Sequence, residues 1–371
     1  MDPLAQFCHN PDCPARGQLG SGNIRIHSRK QRRYLCSTCG RTFAATRDTP
    51  FYRLKTSLDL VTIVVTLLCH GCPVQAVVAA FGLDERTVAD WRDRAGRHGQ
   101  RLHEHRVLQG QVELGHVQAD ELYVKAVGRR LWMAMAMAVP SRLWLGGAVS
   151  QRRDLTLITA VVAMVRRAAK GMAFLVCVDG LASYVTAFVR VFRDPVRTGK
   201  AGRPRLAAIP GRLLGQVIKH HSGRRLVDVT RRAVLGTVET ITAVLSATGT
   251  GTGINTSYIE RLNATFRSAL CPLVRRGRAI VRGEAVLTGW MDLVGCAYNF
   301  CWEHDSLRVA APAEGGLKWQ ARTPAMAAGL TDHRWTMREL LGQPIPLPPW
   351  VAPKRRGRPS RRFLTSVPVT T

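Results

Sequence analysis

Acidic residues are scarce in this chain. Only 25 Asp and Glu stand against 54 Lys and Arg, a formal net charge of +29 over 371 residues. That balance argues against an ordinary soluble enzyme of small metabolites. It points to a polyanionic partner, nucleic acid first and an acidic membrane surface a distant second. Long apolar runs are lacking as well. Val61–Leu68 is among the longest and falls far short of the ~20 residues that a spanning helix needs, so no membrane role is expected. Met1-Asp2-Pro3-Leu4 offers no basic flank before an apolar core, and no secretory signal is expected. Cysteine is too sparse and too irregular for a disulfide scaffold, at ten residues in the whole chain. Its pairing fits metal binding in a reducing, cytoplasmic compartment.

What cysteine there is falls mostly near the start. Cys8-x4-Cys13 is followed, after 22 residues, by Cys36-x2-Cys39-Gly40. Two close pairs on separate turns suit a tetrahedral Zn2+. Gly40 allows the tight turn, and Tyr34 and Phe43 can pack a very small core. Residues 1–50 are therefore read as a zinc ribbon whose folding depends on its metal; structural zinc contributes roughly 10–16 kcal/mol in small finger peptides. Arg25, Arg29, Lys30, Arg32 and Arg33 between the pairs form a basic loop that is on DNA or merely solvated. Cys69-His70-Gly71-Cys72 closes a helix spanning Leu58–Leu68, with Ser57 as its cap, and both thiols are read as small core residues. Pro73–Phe81, a turn at Gly82, and a second helix from Glu85 past Trp91 have the pattern of a helix–turn–helix. Arg86, Arg92, Arg94 and Arg97 would line its second helix, the one that commonly enters the major groove. An ordinary helical hairpin is the competing account. Residues 51–108 form this domain, and 98–111 read as a linker.

Beyond residue 112 the periodicity changes. His116–Val124, Leu131–Val139 and Leu143–Val149 read as strands, with Pro140-Ser141-Arg142 as a turn. Asp154 caps a helix, and Phe174–Val178 is a short buried strand running into Asp179-Gly180. This order predicts an α/β domain with a mixed sheet over 112–310. Residues 193–232, rich in Gly, Pro and cations, read as a basic insertion, and Val227–Thr230 and Ala233–Leu245 as returning strands. From 311 to 371 the chain reads as a basic, flexible tail. Lys354–Arg362 surrounds a Gly-Arg-Pro core, as in an AT-hook that inserts Arg into narrow minor grooves; a solvated basic tail is the alternative.

The stretch Asn255-Thr256-Ser257-Tyr258-Ile259-Glu260-Arg261-Leu262-Asn263 opens a helix. Tyr258, Ile259, Leu262, Phe266 and Leu270 recur on an apolar face. Glu260, Asn263 and Arg267 share the opposite one. Ser257-x-x-Glu260 also matches a capping box, in which the Glu serves only the backbone, and Asp179 before Gly could be a turn residue. Yet Asp120, at the first strand, Asp179, at a strand tip, and Glu260, on a packing helix, can converge on one point. Three carboxylates so close repel one another unless cations sit among them. Two divalent ions, Mg2+ or Mn2+, would suit hard oxygen ligands and would clamp a phosphodiester.

The order of cysteine pairs, helix–turn–helix, Asp120, Asp179-Gly180 and Asn255-x-x-Tyr258-Ile259-Glu260-Arg261-x-Asn263-x-x-x-Arg267 resembles bacterial insertion-sequence transposases of the DDE type. The resemblance covers about residues 7–310. It implies a ribonuclease H-like catalytic domain, with Asp120, Asp179 and Glu260 as the metal triad and Asn263 and Arg267 as helpers facing DNA phosphates. It selects Asp120 over its neighbour Glu121, since strand alternation sends the two to opposite faces. It also implies double-stranded DNA as partner (terminal repeats and target), a homo-oligomer on paired ends, and a nucleoid-associated location. His304, after Asn299-Phe300, would sit near the site. Such an enzyme cuts at the ends of its element and joins the exposed 3′-hydroxyl to target DNA. A DNA-binding regulator with an inactive catalytic domain and a metal-dependent nuclease without strand transfer are the alternatives.

Overall fold

The structure, a computed structural model, describes residues 1–196, 199, 203–223, 225–274, 279–311 and 318–352. The AT-hook-like Lys354–Arg362 and most of Thr198–Gly202 lie outside them. The chain divides into two compact units, residues 1–47 with 346 onward, and residues 48–345.

In the smaller unit, β1 (Ile24–Ser28), β2 (Arg33–Cys36) and β3 (Thr42–Ala44) form one antiparallel sheet. Tyr34, Phe43 and Ile24 surround Cys8, Cys13 and Cys36 in a core too small to support itself without help.

The larger unit begins with α1 (Leu58–Cys69), α2 (Val74–Phe81) and α3 (Glu85–Arg106). Ser57 caps α1 through the Leu60 N–H, Gly82 ends α2 in the left-handed region at φ 62°, and Asp84 caps α3 through Arg86 and Thr87. α3 runs through most of the expected linker. Its polar composition hides this, because His98 and His103 are buried and donate from Nε2 to the Leu340 and Leu145 carbonyls. Cys69 is fully buried, as a core residue should be, and Cys72 is half-buried.

The six-stranded mixed sheet follows. Its strands are β4 (His116–Ala126), β5 (Arg129–Ala138), β6 (Leu143–Ser150), β7 (Phe174–Asp179), β10 (Arg212–Ser222) and β11 (Arg225–Leu235), in the order β11-β10-β7-β4-β5-β6. β4 pairs parallel with β7, and β7 with β10; the other neighbours are antiparallel. β8 (Arg193–Val196) and β9 (Arg205–Ala208) form a separate exposed hairpin. α4 (Leu155–Ala168) and α5 (Ala182–Val191) pack on the face of Val117, Ala119 and Val176. α7 (Ser257–Ala269) and α8 (Glu284–Phe300) pack on the face of Leu122, Val124 and Met133.

Several expectations change. The basic segment 193–232 is not wholly an insertion, because β10 lies beside β7 as a sheet strand with Leu214–Val217 buried. Ala233–Leu245 does not return as a strand beyond Leu235. It becomes α6 (Val238–Ala247), where a Thr237–Thr240 capping box and buried Ile241 and Leu245 outweigh the β-branched composition. Residues 318–345 are no tail. Two short helices, α9 (Pro324–Ala327) and α10 (Met337–Gly342), bury Trp335, Leu340, Leu341 and Ile345, and Trp335 stacks on Phe300 at 4.4 Å. Helices this short show no periodicity to read. No boundary in packing separates 51–108 from 112–310, since α1, α3 and the sheet share one core. α3 and α8 touch at glycines: a Cβ on Gly96 would stand 2.7 Å from the Gly289 carbonyl oxygen.

Candidate active site and cysteine cluster

β4 carries the first part of the site. Alternation turns Gln118 and Asp120 toward α7 and Glu121 toward α5. Gln118 is fully buried and fastens the start of α7 to this strand. Its Oε1 accepts the N–H groups of Tyr258 and Ile259, each at 3.0 Å, and its Nε2 donates to the Asn255 carbonyl at 2.8 Å. First-turn N–H groups of a helix need such a partner. Here it comes from two residues before Asp120, so strand and helix are locked in register. Asn263 then donates to Asp120 Oδ2 at 2.7 Å.

Asp120, Asp179 and Glu260 line one cleft of about 370 Å³, together with Arg153 and Lys219. Glu260, Asn263 and Arg267 line an adjoining cleft of about 430 Å³ that Asp120 and Lys219 also reach, as their shared helix face requires. The capping box at Ser257 does not form. Glu260 Oε1 accepts from Thr256 Oγ1 at 3.0 Å and from Lys219 Nζ at 2.5 Å, while Ser257 bonds Asn255. Asp179 is both things the sequence allowed: Oδ1 accepts the Leu181 N–H in a turn, and Oδ2 faces Arg153 at 3.3 Å.

Two expectations need revision. Asn263 is buried and holds Asp120; it does not sit exposed toward a DNA backbone. Glu121 points away from α7, yet its carboxylate belongs to the site. Carboxylate oxygens of Asp120, Glu121 and Asp179 all lie within 4.8 Å of one another. Arg153 pairs with Glu121 and Asp179 together, and Tyr184 donates to Glu121 at 2.9 Å. Alternation alone could not reveal this, because Arg153 comes from the turn before α4. His304 does not join the carboxylates. It lines a different cleft, with Arg142, Tyr258 and Arg261.

The electrostatics are those of a crowded anionic site. Burial, then Glu121, with Asp179 and Glu260 behind it, push the Asp120 carboxyl up to about 7, against the Glu121 N–H that lowers it. Burial and Asp179 likewise push Glu121 up, against Arg153. Asn263 Oδ1 is a buried acceptor without a hydrogen-bond partner among the described residues. Oxygen donors, mutual repulsion and an unfilled acceptor are the chemistry that a hard divalent cation satisfies.

The four cysteines Cys8, Cys13, Cys36 and Cys39 cluster with all sulfurs within 4.8 Å. Cys8 and Cys39 sulfurs are 3.6 Å apart, and those of Cys13 and Cys36 4.0 Å. A tetrahedron with Zn–S bonds of about 2.3 Å has edges of about 3.8 Å. Burial pushes the Cys36 thiol up, but the Cys39 and Thr38 N–H groups outweigh it and bring it down to about 7. The donor set thus fits a structural Zn2+.

Of the four arginines expected to face DNA from α3, two are engaged within the protein. Arg92 pairs with Asp93 and lies over the Trp290 ring, and Arg94 pairs with Asp90 and donates to the Tyr52 carbonyl. Arg86 and Arg97 are exposed. The β10–β11 hairpin adds exposed Lys219 and His221, which line the carboxylate cleft, and exposed Arg225, Arg231 and Arg232, of which Arg231 donates to the Ile254 carbonyl and Arg232 to Gln216. No helix among the described residues is long and apolar enough to cross a membrane. The sequence matches no model of a known protein family and no curated protein.

Proposed function

We propose that the protein is a DNA transposase of the DDE type, built on a ribonuclease H-like sheet with a zinc ribbon ahead of it. One observation carries the reading: Asp120 on the first sheet strand, Asp179 at the tip of β7 and Glu260 on α7 meet at one cleft bordered by a basic hairpin. The strand sequence β6-β5-β4-β7-β10, antiparallel then parallel, supports it, because it brings the carboxyl end of β7 beside Asp120.

Asp120, Asp179 and Glu260 would hold Mg2+ or Mn2+, with Glu121 near enough to contribute. Two such ions, when bound, would lower the cost of charge on the attacking and leaving oxygens of a phosphodiester. The chain's own groups prepare the site. Gln118 and Asn263 fix Asp120 against α7. Arg153 neutralises Glu121 and Asp179. Lys219 and Arg267, on two sides of Glu260, meet the phosphate oxygens of a strand entering the cleft. Arg86, Arg97 and the hairpin cations bind duplex DNA at its backbone, as affinity that falls steeply with salt would register. Water would first open the strand at the element end, and the freed 3′-hydroxyl would then attack target DNA. Pairing two ends requires at least a dimer, working in the cytoplasm on the nucleoid.

The test is a Mg2+-dependent cleavage and joining assay on labelled DNA carrying the terminal repeats that flank the gene. Wild type should cut and join, and Glu260→Gln should bind without cutting. Cutting without joined products would leave a nuclease, and end binding without cutting by wild type a regulator. Equal cleavage by Glu260→Gln would remove the triad.

A further inference from the structure

α7 has a second functional side. Around the helix, Tyr258, Arg261 and Thr265 project opposite Glu260, Asn263 and Arg267. They line a cleft of about 470 Å³, closed by Arg142, Tyr298 and His304, a volume within the range of small-ligand sites.

Its chemistry is specific. The Arg142 guanidinium lies 4.1 Å from the centre of the Tyr258 ring, and its Nε faces Ser306 Oγ at 3.4 Å. A hydrogen bond from its Nη1 to the Val139 carbonyl also holds it. Arg142 itself sits in the left-handed region at φ 58°, a conformation that a long side chain rarely adopts. Tyr298 and His304 meet edge to face at 6.2 Å. Burial first, then Arg142 and Arg261, pull the His304 imidazole down, against Asp305, which raises it. Of the acids at the rim, Glu303 is turned to Arg334 at 3.1 Å, and Asp305 borders the opening.

We propose that this cleft takes one unpaired nucleotide of DNA, its phosphate on Arg142 and Arg261 and its base against Tyr258, Tyr298 and His304. Aromatic faces accept any base, and guanidinium groups accept the phosphate, which is how single strands are held without sequence readout. The acidic rim disfavours a continuous track of duplex phosphates and favours a single residue entering end-on. This rests on the reading of the protein as a DNA-processing enzyme and adds to it: a frayed or cut strand end has a seat on the reverse of the helix that bears Glu260.

The experiment compares, for the full-length protein, duplex element ends that are blunt with ends bearing a three-nucleotide unpaired overhang, with 4-thiothymidine at each overhang position in turn. Binding should favour the overhang by about tenfold, the scale of one stacked base. Ultraviolet crosslinks should map to peptides holding Tyr258 or Tyr298. Arg261→Ala, an exposed position that should fold normally, and Tyr258→Ala should each remove most of that preference, whereas Glu260→Gln should keep it. Crosslinks elsewhere, or an overhang preference intact in both Arg261→Ala and Tyr258→Ala, would overturn the site. Failure of the transposase reading is separately visible as absence of Mg2+-dependent cleavage by wild type.

Discussion

Replacing Gln118 with Met tests how the site is assembled. Met keeps the length and removes every hydrogen bond. The N–H groups of Tyr258 and Ile259 then lose their shared acceptor. A part-buried donor left unpaired costs about 1–3 kcal/mol, so two cost about 2–6 kcal/mol. Asn255 also loses a donor to its carbonyl, but that segment reaches water and should contribute little. The rest of α7 stays anchored by buried Ile259, Leu262 and Phe266, so damage should concentrate in the first turn, which contains Glu260. Denaturant unfolding should show a lower midpoint at an unchanged slope, and DNA cleavage should fall more than tenfold. A loss under about 1 kcal/mol with normal cleavage would refute the claim that Gln118 sets the register of strand and helix.

Other outcomes follow from the same geometry. Glu121→Gln should lower cleavage at least tenfold and stability by about 1–3 kcal/mol, less than a full buried pair costs because Arg153 keeps Asp179; wild-type cleavage would exclude Glu121 from the site. Cys36→Ser should abolish bound zinc and the near-ultraviolet signal of residues 1–47, and undiminished zinc would show that the cluster is no metal site. Burial holds His103 down at about 4. Its unfolded form takes a proton below about 6.5, so stability is lost as pH falls through that value toward 4, by about 2 kcal/mol at pH 5. Relative to His103→Gln, wild type should therefore weaken by that amount between pH 7 and 5. This difference cancels the opposite contribution of Asp120 and Asp292, whose raised carboxyls gain protons in the folded state. A constant difference would mean that the imidazole is not held neutral.

The periodic face of α7, with Glu260, Asn263 and Arg267 opposite it, was legible because it depends on local spacing, and Asp179 because it ends a short apolar run. Asp120, in the middle of β4, was preferred to Glu121 only through the resemblance. Gln118 could not be selected, because its partners lie 140 and 141 positions away and are backbone groups. Arg153 and Glu121 escaped for a similar reason: a residue beside a helix cap reaches across to the far face of another strand. β10 was obscured by its own charge. Its first half is a buried sheet strand and its second half an exposed basic arm, so composition averaged over the whole segment resembled an insertion. In α3, buried histidines carry the inner face in place of aliphatic side chains, and a hydropathy pattern stops short of them.

The glycine contact between α3 and α8 has a consequence for DNA geometry. With backbones this close, the two helices cannot slide or hinge independently. If the exposed first turn of α3 docks in a groove, the carboxylate cleft stands at a fixed offset from it, like a caliper with a soldered jaw. One turn of duplex is about 34–36 Å over 10–10.5 base pairs, so inserting a single pair between binding site and cut turns the scissile phosphate by roughly a tenth of a revolution. A protein with a loose linker would absorb that change. Under the proposed function, this one should either move its cut by one nucleotide or stop cutting.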